Sequence, residues 1–113
     1  MSKIKNIILN ECFKSLAKDG ARYFTVENLA YKLSISKKTI YQYFPNKENL
    51  IMKVVQHSMK KQADNFTSII QSESDPIIQF MMIREYSIKF SSKINLDKLA
   101  YLKIRYPDVW ILI

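Results

Sequence analysis

Residues 34–50 read Ser-Ile-Ser-Lys-Lys-Thr-Ile-Tyr-Gln-Tyr-Phe-Pro-Asn-Lys-Glu-Asn-Leu, and they set three lysines where a helix favours acids. Ser36 has the character of an N-cap, since its hydroxyl can accept from a free backbone N–H of the first helical turn. Lys37 and Lys38 then fill that turn, at the positive end of the helix dipole. Asn46 repeats the arrangement, capping a helix that opens with Lys47. A cation at an exposed helix start is disfavoured by roughly 0.3–1 kcal/mol, whereas an anion is welcome. The chemistry these residues can do is therefore anion recognition, and a nucleic-acid phosphate is the obvious candidate.

Charge is distributed in the same sense. The chain has 113 residues and a formal net charge of +8. Residues 1–61 carry twelve Lys/Arg against four Asp/Glu, and residues 62–113 carry six of each, so the whole excess lies in the first half. This asymmetry predicts a polyanion-binding N-terminal part and a neutral C-terminal part with a different task. Catalysis has no foothold in the sequence. There is one His, one Cys and one Gly, with no Gly-rich phosphate loop, no metal-spaced His/Cys cluster and no nucleophile–base pair. The expectation is a non-enzyme without cofactor or metal. A single cysteine excludes an intrachain disulfide framework. No apolar run approaches the roughly 18–20 residues of a bilayer span, and the N-terminus lacks a signal-peptide apolar region, so a cytoplasmic protein without a membrane partner is expected.

The elements that must position these residues are helices. Over Lys3–Lys18, Ile8, Leu9, Cys12, Phe13 and Leu16 fall within an arc of about 140°, a core-facing stripe, and Gly20 stops the helix. Thr25 caps a second helix with Leu29, Ala30 and Leu33 on one face. Ser34-Ile35-Ser36 is a tight connection to a third helix, Lys37–Phe44, which Pro45 ends. From Asn46 a helix of about 25 residues is expected, with Leu50, Ile51, Val54, Val55, Met59, Ala63, Phe66 and Ile70 as its apolar stripe. Asp75-Pro76 starts another helix running to about Phe90. A last helix spans Asn95–Arg105, interrupted at Tyr106-Pro107. The chain ends on the apolar run Val109-Trp110-Ile111-Leu112-Ile113, which reads as a helix cut short or one that needs a partner. Cys12 and His57 read as structural residues, and Lys3 and Lys5 as solvated ones.

Two short helices joined by a three-residue turn in a basic setting make a helix-turn-helix, whose second helix enters the major groove. On that helix Ile40 and Phe44 share an inward apolar face, leaving Lys37, Lys38, Thr39, Tyr41 and Tyr43 for the groove. Residues 8–50 resemble the DNA-binding domain of the TetR family of bacterial transcriptional regulators. The resemblance rests on Ile8-Leu9, Phe13, Leu16 and Gly20, then Thr25-Val26 and Leu29-Ala30, then Ile35-Ser36, Thr39-Ile40-Tyr41, Tyr43-Phe44, Lys47-Glu48 and Leu50. It covers about 40% of the chain. The sequence departs from the family pattern at Ser34, where Gly is usual and a left-handed backbone would carry strain, and at Lys38, where a small residue is usual.

The resemblance implies an all-α fold: a three-helix helix-turn-helix head over 1–47, then over 48–113 a long connecting helix and the start of a helical effector-binding and dimerisation domain. It implies a transcriptional regulator, a repressor, that binds a near-palindromic double-stranded DNA operator as a homodimer and is released by a small-molecule effector. By the same resemblance Lys37, Lys38 and Thr39 face bases or nearby phosphates, with Ser36 at the start of their helix. Tyr41, Tyr43, Lys47 and Thr25 contact phosphates. Phe80, Met82, Tyr86, Phe90 and Tyr101 are the candidate effector-pocket residues, since apolar and aromatic walls suit small hydrophobic ligands. Family members usually carry a longer C-terminal domain, so weak dimerisation and weak, salt-sensitive DNA binding are expected of these 113 residues. The competing reading is a basic helical interaction module that binds a protein partner or an anionic membrane surface.

Overall fold

A computed structural model describes residues 3–92 and 96–111. Seven helices follow one another among the described residues: α1 Lys3–Asp19, α2 Val26–Leu33, α3 Lys37–Tyr43, α4 Lys47–Ser72, α5 Pro76–Ser91, α6 Leu96–Arg105 and α7 Pro107–Trp110. The fold is all-α, as the helical periodicity requires. The expected helix start at Asn95 and the last two apolar residues, Leu112 and Ile113, lie outside the described residues.

Each boundary has a local cause. Gly20 adopts φ 81°, a left-handed conformation that ends α1. Thr25, Ser36 and Asn46 cap α2, α3 and α4 by accepting from the backbone N–H groups of Asn28, Thr39 and Asn49 at 3.1, 3.0 and 2.8 Å. Asp75 does the same for Ile77 at 2.9 Å, with Pro76 opening α5.

Helices α1 to α3 close around one core. Ile8, Leu9 and Cys12 of α1 meet Phe24, Val26, Leu29 and Ala30, and Ile40 and Phe44 complete the far side. Leu50 and Val54 of α4 belong to the same core, so the head reaches about two turns into the long helix, beyond residue 47. Full burial of side chains of this size contributes roughly 1.5–3 kcal/mol each, which fixes α3 on α1 and α2 despite its length of only seven residues.

A second, smaller core joins the C-terminal helices to this head. Leu102, Tyr106 and Val109 pack on Ile51 of α4 and on Ala21, just past the end of α1. Helix α4 runs on for about 39 Å, and α5 folds back along it. Phe66 and Tyr86 meet edge to face at 5.3 Å between ring centroids. The Tyr86 hydroxyl accepts from the Asn65 amide at 2.6 Å and donates to Gln62. The expected apolar stripe of α4 is only partly covered: Leu50, Ile51 and Val54 are buried, whereas Met59 and Ile70 are 46% and 52% exposed. The head covers only the start of α4, and α5 alone lies against its far end. No residue of α5 is buried. The projecting α4–α5 pair accounts for the elongated dimensions of 49 × 31 × 22 Å.

Candidate nucleic-acid interface

The turn between α2 and α3 sets the aim of the site. Ser34 takes φ 55°, ψ 40°, the only positive φ outside glycine among the described residues. Its N–H donates to the Tyr31 carbonyl at 3.2 Å, and the next N–H, of Ile35, donates to Ala30 at 3.1 Å. Two carbonyls at the end of α2 are thereby satisfied within a sharp reversal. A β-carbon in this conformation costs roughly 1–2 kcal/mol, so the strain expected at Ser34 is present. Ser36 then caps α3, and its hydroxyl lies 2.8 Å from that of Thr39. Thr39 is half-buried, so this pair serves the cap first.

Around α3 the two faces separate cleanly. Ile40 and Phe44 are buried in the head core, whereas Lys37, Lys38, Tyr41 and Tyr43 are exposed. Lys38 forms no ion pair among the described residues. Lys37 does: its Nζ lies 2.5 Å from Oε1 of Glu27, in the first turn of α2. The ammonium beside it holds the Glu27 carboxyl below its usual range, and the carboxylate raises Lys37 in turn. For Lys37, then, the missing anion comes from within the head. Sequence reasoning passed over Glu27 because an acid in the first turn of α2 reads as ordinary dipole compensation. Only the turn at Ser34 brings it against a lysine ten positions later.

Lys47 stands apart from this pair. It is half-buried at the start of α4, with its ammonium 5.8 Å from the centroid of the Phe24 ring. Burial first, and the positive charge of Arg105 second, push its pKa down. Arg105 was not among the residues singled out from sequence. It ends α6, and α6 reaches the start of α4 only because Leu102 and Tyr106 pack on Ile51, one turn past Lys47. Thr25 is exposed at the start of α2. The turn and the two helix starts thus bring Ser36, Lys37, Lys38, Tyr41 and Tyr43 together on one helix, with Thr25 and Lys47 on the helices flanking it.

The apolar cavity lies elsewhere, between α1, α4 and the ends of α5 and α6. It measures about 430 Å³ and is walled by Phe13 and Leu16 from α1 and by Val55, Met59 and Phe66 from α4, with Phe90 of α5. Phe13 and Phe90 stack at 6.4 Å with their planes 13° apart. Of the five residues expected there, Phe90 alone is in this wall. Tyr86 joins Phe90 and His57 in an adjoining cavity of about 290 Å³. Phe80 and Met82 turn to solvent, at 68% and 37% exposure. Tyr101 packs beside the second core. The remaining walls come from stripes on α1 and α4 that periodicity alone reads as core.

Among the described residues no group of three or more His, Cys, Asp or Glu side chains could hold a metal. No described helix is long and apolar enough to cross a membrane.

A short helix docked by its apolar face, set off by a three-residue turn and displaying lysines and tyrosines outward, defines a helix-turn-helix head. Residues 8–54 match the family described as bacterial regulatory proteins, tetR family. Over 105 residues the chain is 28% identical to a protein of Bacillus subtilis (strain 168) called uncharacterized HTH-type transcriptional regulator YvaF; the match covers 92% of this chain and 55% of that protein. The chain thus spans about half the length of this curated relative. No solved structure matches it. Through its head, the chain is similar to the TetR family of bacterial regulatory proteins.

Proposed function

We propose that this protein is a DNA-binding transcriptional regulator of the repressor type, acting in the cytoplasm on a near-palindromic operator as a homodimer. The observation that carries the reading is the exposed face of α3. Lys37, Lys38, Tyr41 and Tyr43 project from a helix whose other side is locked into the core by Ile40 and Phe44. Lys38 is the groove-facing cation best placed to donate to guanine O6 or N7. Tyr41, Tyr43, Lys47 and Thr25 fix position on the phosphates rather than choosing sequence.

Assembly follows from two-fold symmetry, since two recognition helices must lie about 34–36 Å apart to reach successive major grooves. The uncovered apolar side of α5, with Ile77, Phe80 and Met81 more than half exposed, supports burial of that helix against a second copy. The apolar cavity beside α4 supports a small hydrophobic effector. An effector bound there acts by favouring one spacing of the two heads over another, a population shift.

Footprinting on the DNA flanking the protein's own gene, across a salt series, tests the reading. A protected palindrome, standing out from the flanking DNA at low salt and weakening as salt rises, is the expected result. Uniform weak protection at every salt, with no protected palindrome, would instead leave a basic module without sequence recognition.

A further inference from the structure

We infer that Glu27 sets how discriminating the recognition helix is, by holding Lys37 back from the DNA backbone; the inference rests on the DNA-binding reading above. Three observations carry it. The Lys37 ammonium and the Glu27 carboxylate are 2.5 Å apart although both side chains are well exposed, at 49% and 61%. The ammonium is also 6.0 Å from the centroid of the Tyr41 ring, so it is flanked by a carboxylate and an aromatic face. Lys38, its immediate neighbour, has no ion-pair partner among the described residues.

A free lysine at the start of a helix is a mobile point charge that binds any phosphate within reach. Sequence-independent affinity for DNA is almost entirely the sum of such contacts, each releasing counterions from the duplex. Pairing with Glu27 removes Lys37 from that sum. To bind a phosphate, Lys37 must first give up the carboxylate, and the carboxylate is then left facing a polyanion. The ammonium has three donors, and with one committed to Glu27 the other two keep a defined direction. Glu27 thereby turns Lys37 from a general phosphate ligand into an oriented donor, and lowers the background affinity of the head.

The test is binding of a random-sequence duplex by the full chain, measured by fluorescence anisotropy through a salt series, for wild type, Glu27→Gln, Lys37→Ala and the double variant. Removing an exposed pairing partner predicts that Glu27→Gln tightens binding about 1.5- to 5-fold. One added phosphate contact steepens the plot of log K against log salt by about 0.9. In the Lys37→Ala background the same substitution should have no effect. Equal affinity and slope for wild type and Glu27→Gln would overturn the inference while leaving DNA binding intact. A gain that persists without Lys37 would overturn it too, since it would be a general effect of lost negative charge. Failure of wild type to bind any duplex, even at low salt, would bring down the underlying DNA reading as well.

Discussion

The ammonium of Lys98, on α6, donates to the carbonyl oxygen of Ala17, 81 positions earlier in the chain, at 3.1 Å, and also to that of Lys18. A cation is thus set on the last carbonyls of α1, where the helix dipole favours it. The stem of the same side chain crosses Gly20, at a distance that would leave a β-carbon there 3.0 Å from its Cγ. Gly20 therefore meets two demands together, a left-handed φ of 81° and the close passage of Lys98.

Gly20→Ala is expected to destabilise the protein by about 1 kcal/mol. The left-handed conformation costs a β-carbon roughly 1–2 kcal/mol, partly offset by the lower entropy of the unfolded Ala chain. Thermal unfolding should shift down by about 4–6 °C. The packing part of the loss, though not the φ part, should be relieved by Lys98→Ala in the same chain. Strict additivity of the two substitutions would show that the contact carries no energy.

Ser34 makes the opposite case, because there the favourable residue is the one not used. With φ 55°, Ser34→Gly should stabilise by about 0.5–1 kcal/mol, the relieved strain less the entropy of glycine in the unfolded chain. Denaturant midpoints would register the gain at unchanged slope. A loss of stability would mean that the Ser34 side chain contributes something the backbone geometry does not reveal.

These two residues also mark what could be read in advance. Gly20 and Ser34 were both assignable from position, as a helix stop and a turn, because their roles depend on backbone geometry and local sequence. So were the caps at Thr25, Ser36 and Asn46, and the inward pair Ile40 and Phe44. What could not be read was contact between distant segments. Nothing in the spacing joins Lys98 to Ala17, brings Glu27 to Lys37, or sets Arg105 beside the start of α4. The cavity eluded reading for the same reason. Phe80 and Met82 share a helix with Phe90, but α5 carries apolar residues on every side, so periodicity cannot say which of them faces α4.

Cys12 tests whether the head core is as closed as its packing implies. The side chain is fully buried, and burial pushes its thiol pKa far above the ordinary value of 9.0. Alkylation should therefore be slow in the folded state and follow unfolding. The linkage has a definite sign. Above pH 9 the unfolded chain loses the thiol proton while the folded chain keeps it, so stability falls with rising pH, by up to about 1.4 kcal/mol per unit from this group. Cys12→Ala should be less stable at neutral pH and should lose that part of the alkaline slope. An alkylation rate insensitive to denaturant would show that the core opens locally around Cys12.

The lysines of the interface should separate by salt dependence. On the proposed DNA-binding reading Lys47→Ala removes a phosphate contact, so it should weaken binding to every duplex and reduce the salt slope by about 0.9. Lys38→Ala should act on sequence choice, costing roughly 1–3 kcal/mol on a preferred site and much less on random DNA. Tyr43→Phe, which keeps the ring and removes one hydroxyl, should produce a small loss common to all sequences. If Lys38→Ala weakens all duplexes alike, its side chain reads the backbone, and the recognition falls to Lys37.

Self-association should depend on α5. Phe80 is 68% exposed and supports neither core, so Phe80→Glu should leave the thermal midpoint nearly unchanged, within the range of ordinary surface substitutions. A glutamate in the middle of an apolar contact must be desolvated when that contact forms, which is costly without a partner. Sedimentation velocity on the wild-type chain should show mass rising with protein concentration, and the variant should remain monomeric over the same range. Operator affinity should then fall with the lost second head, because one head docks on one half-site alone. If both chains sediment alike and the wild type dimerises, the two-fold contact lies on another face and α5 is covered in some other way.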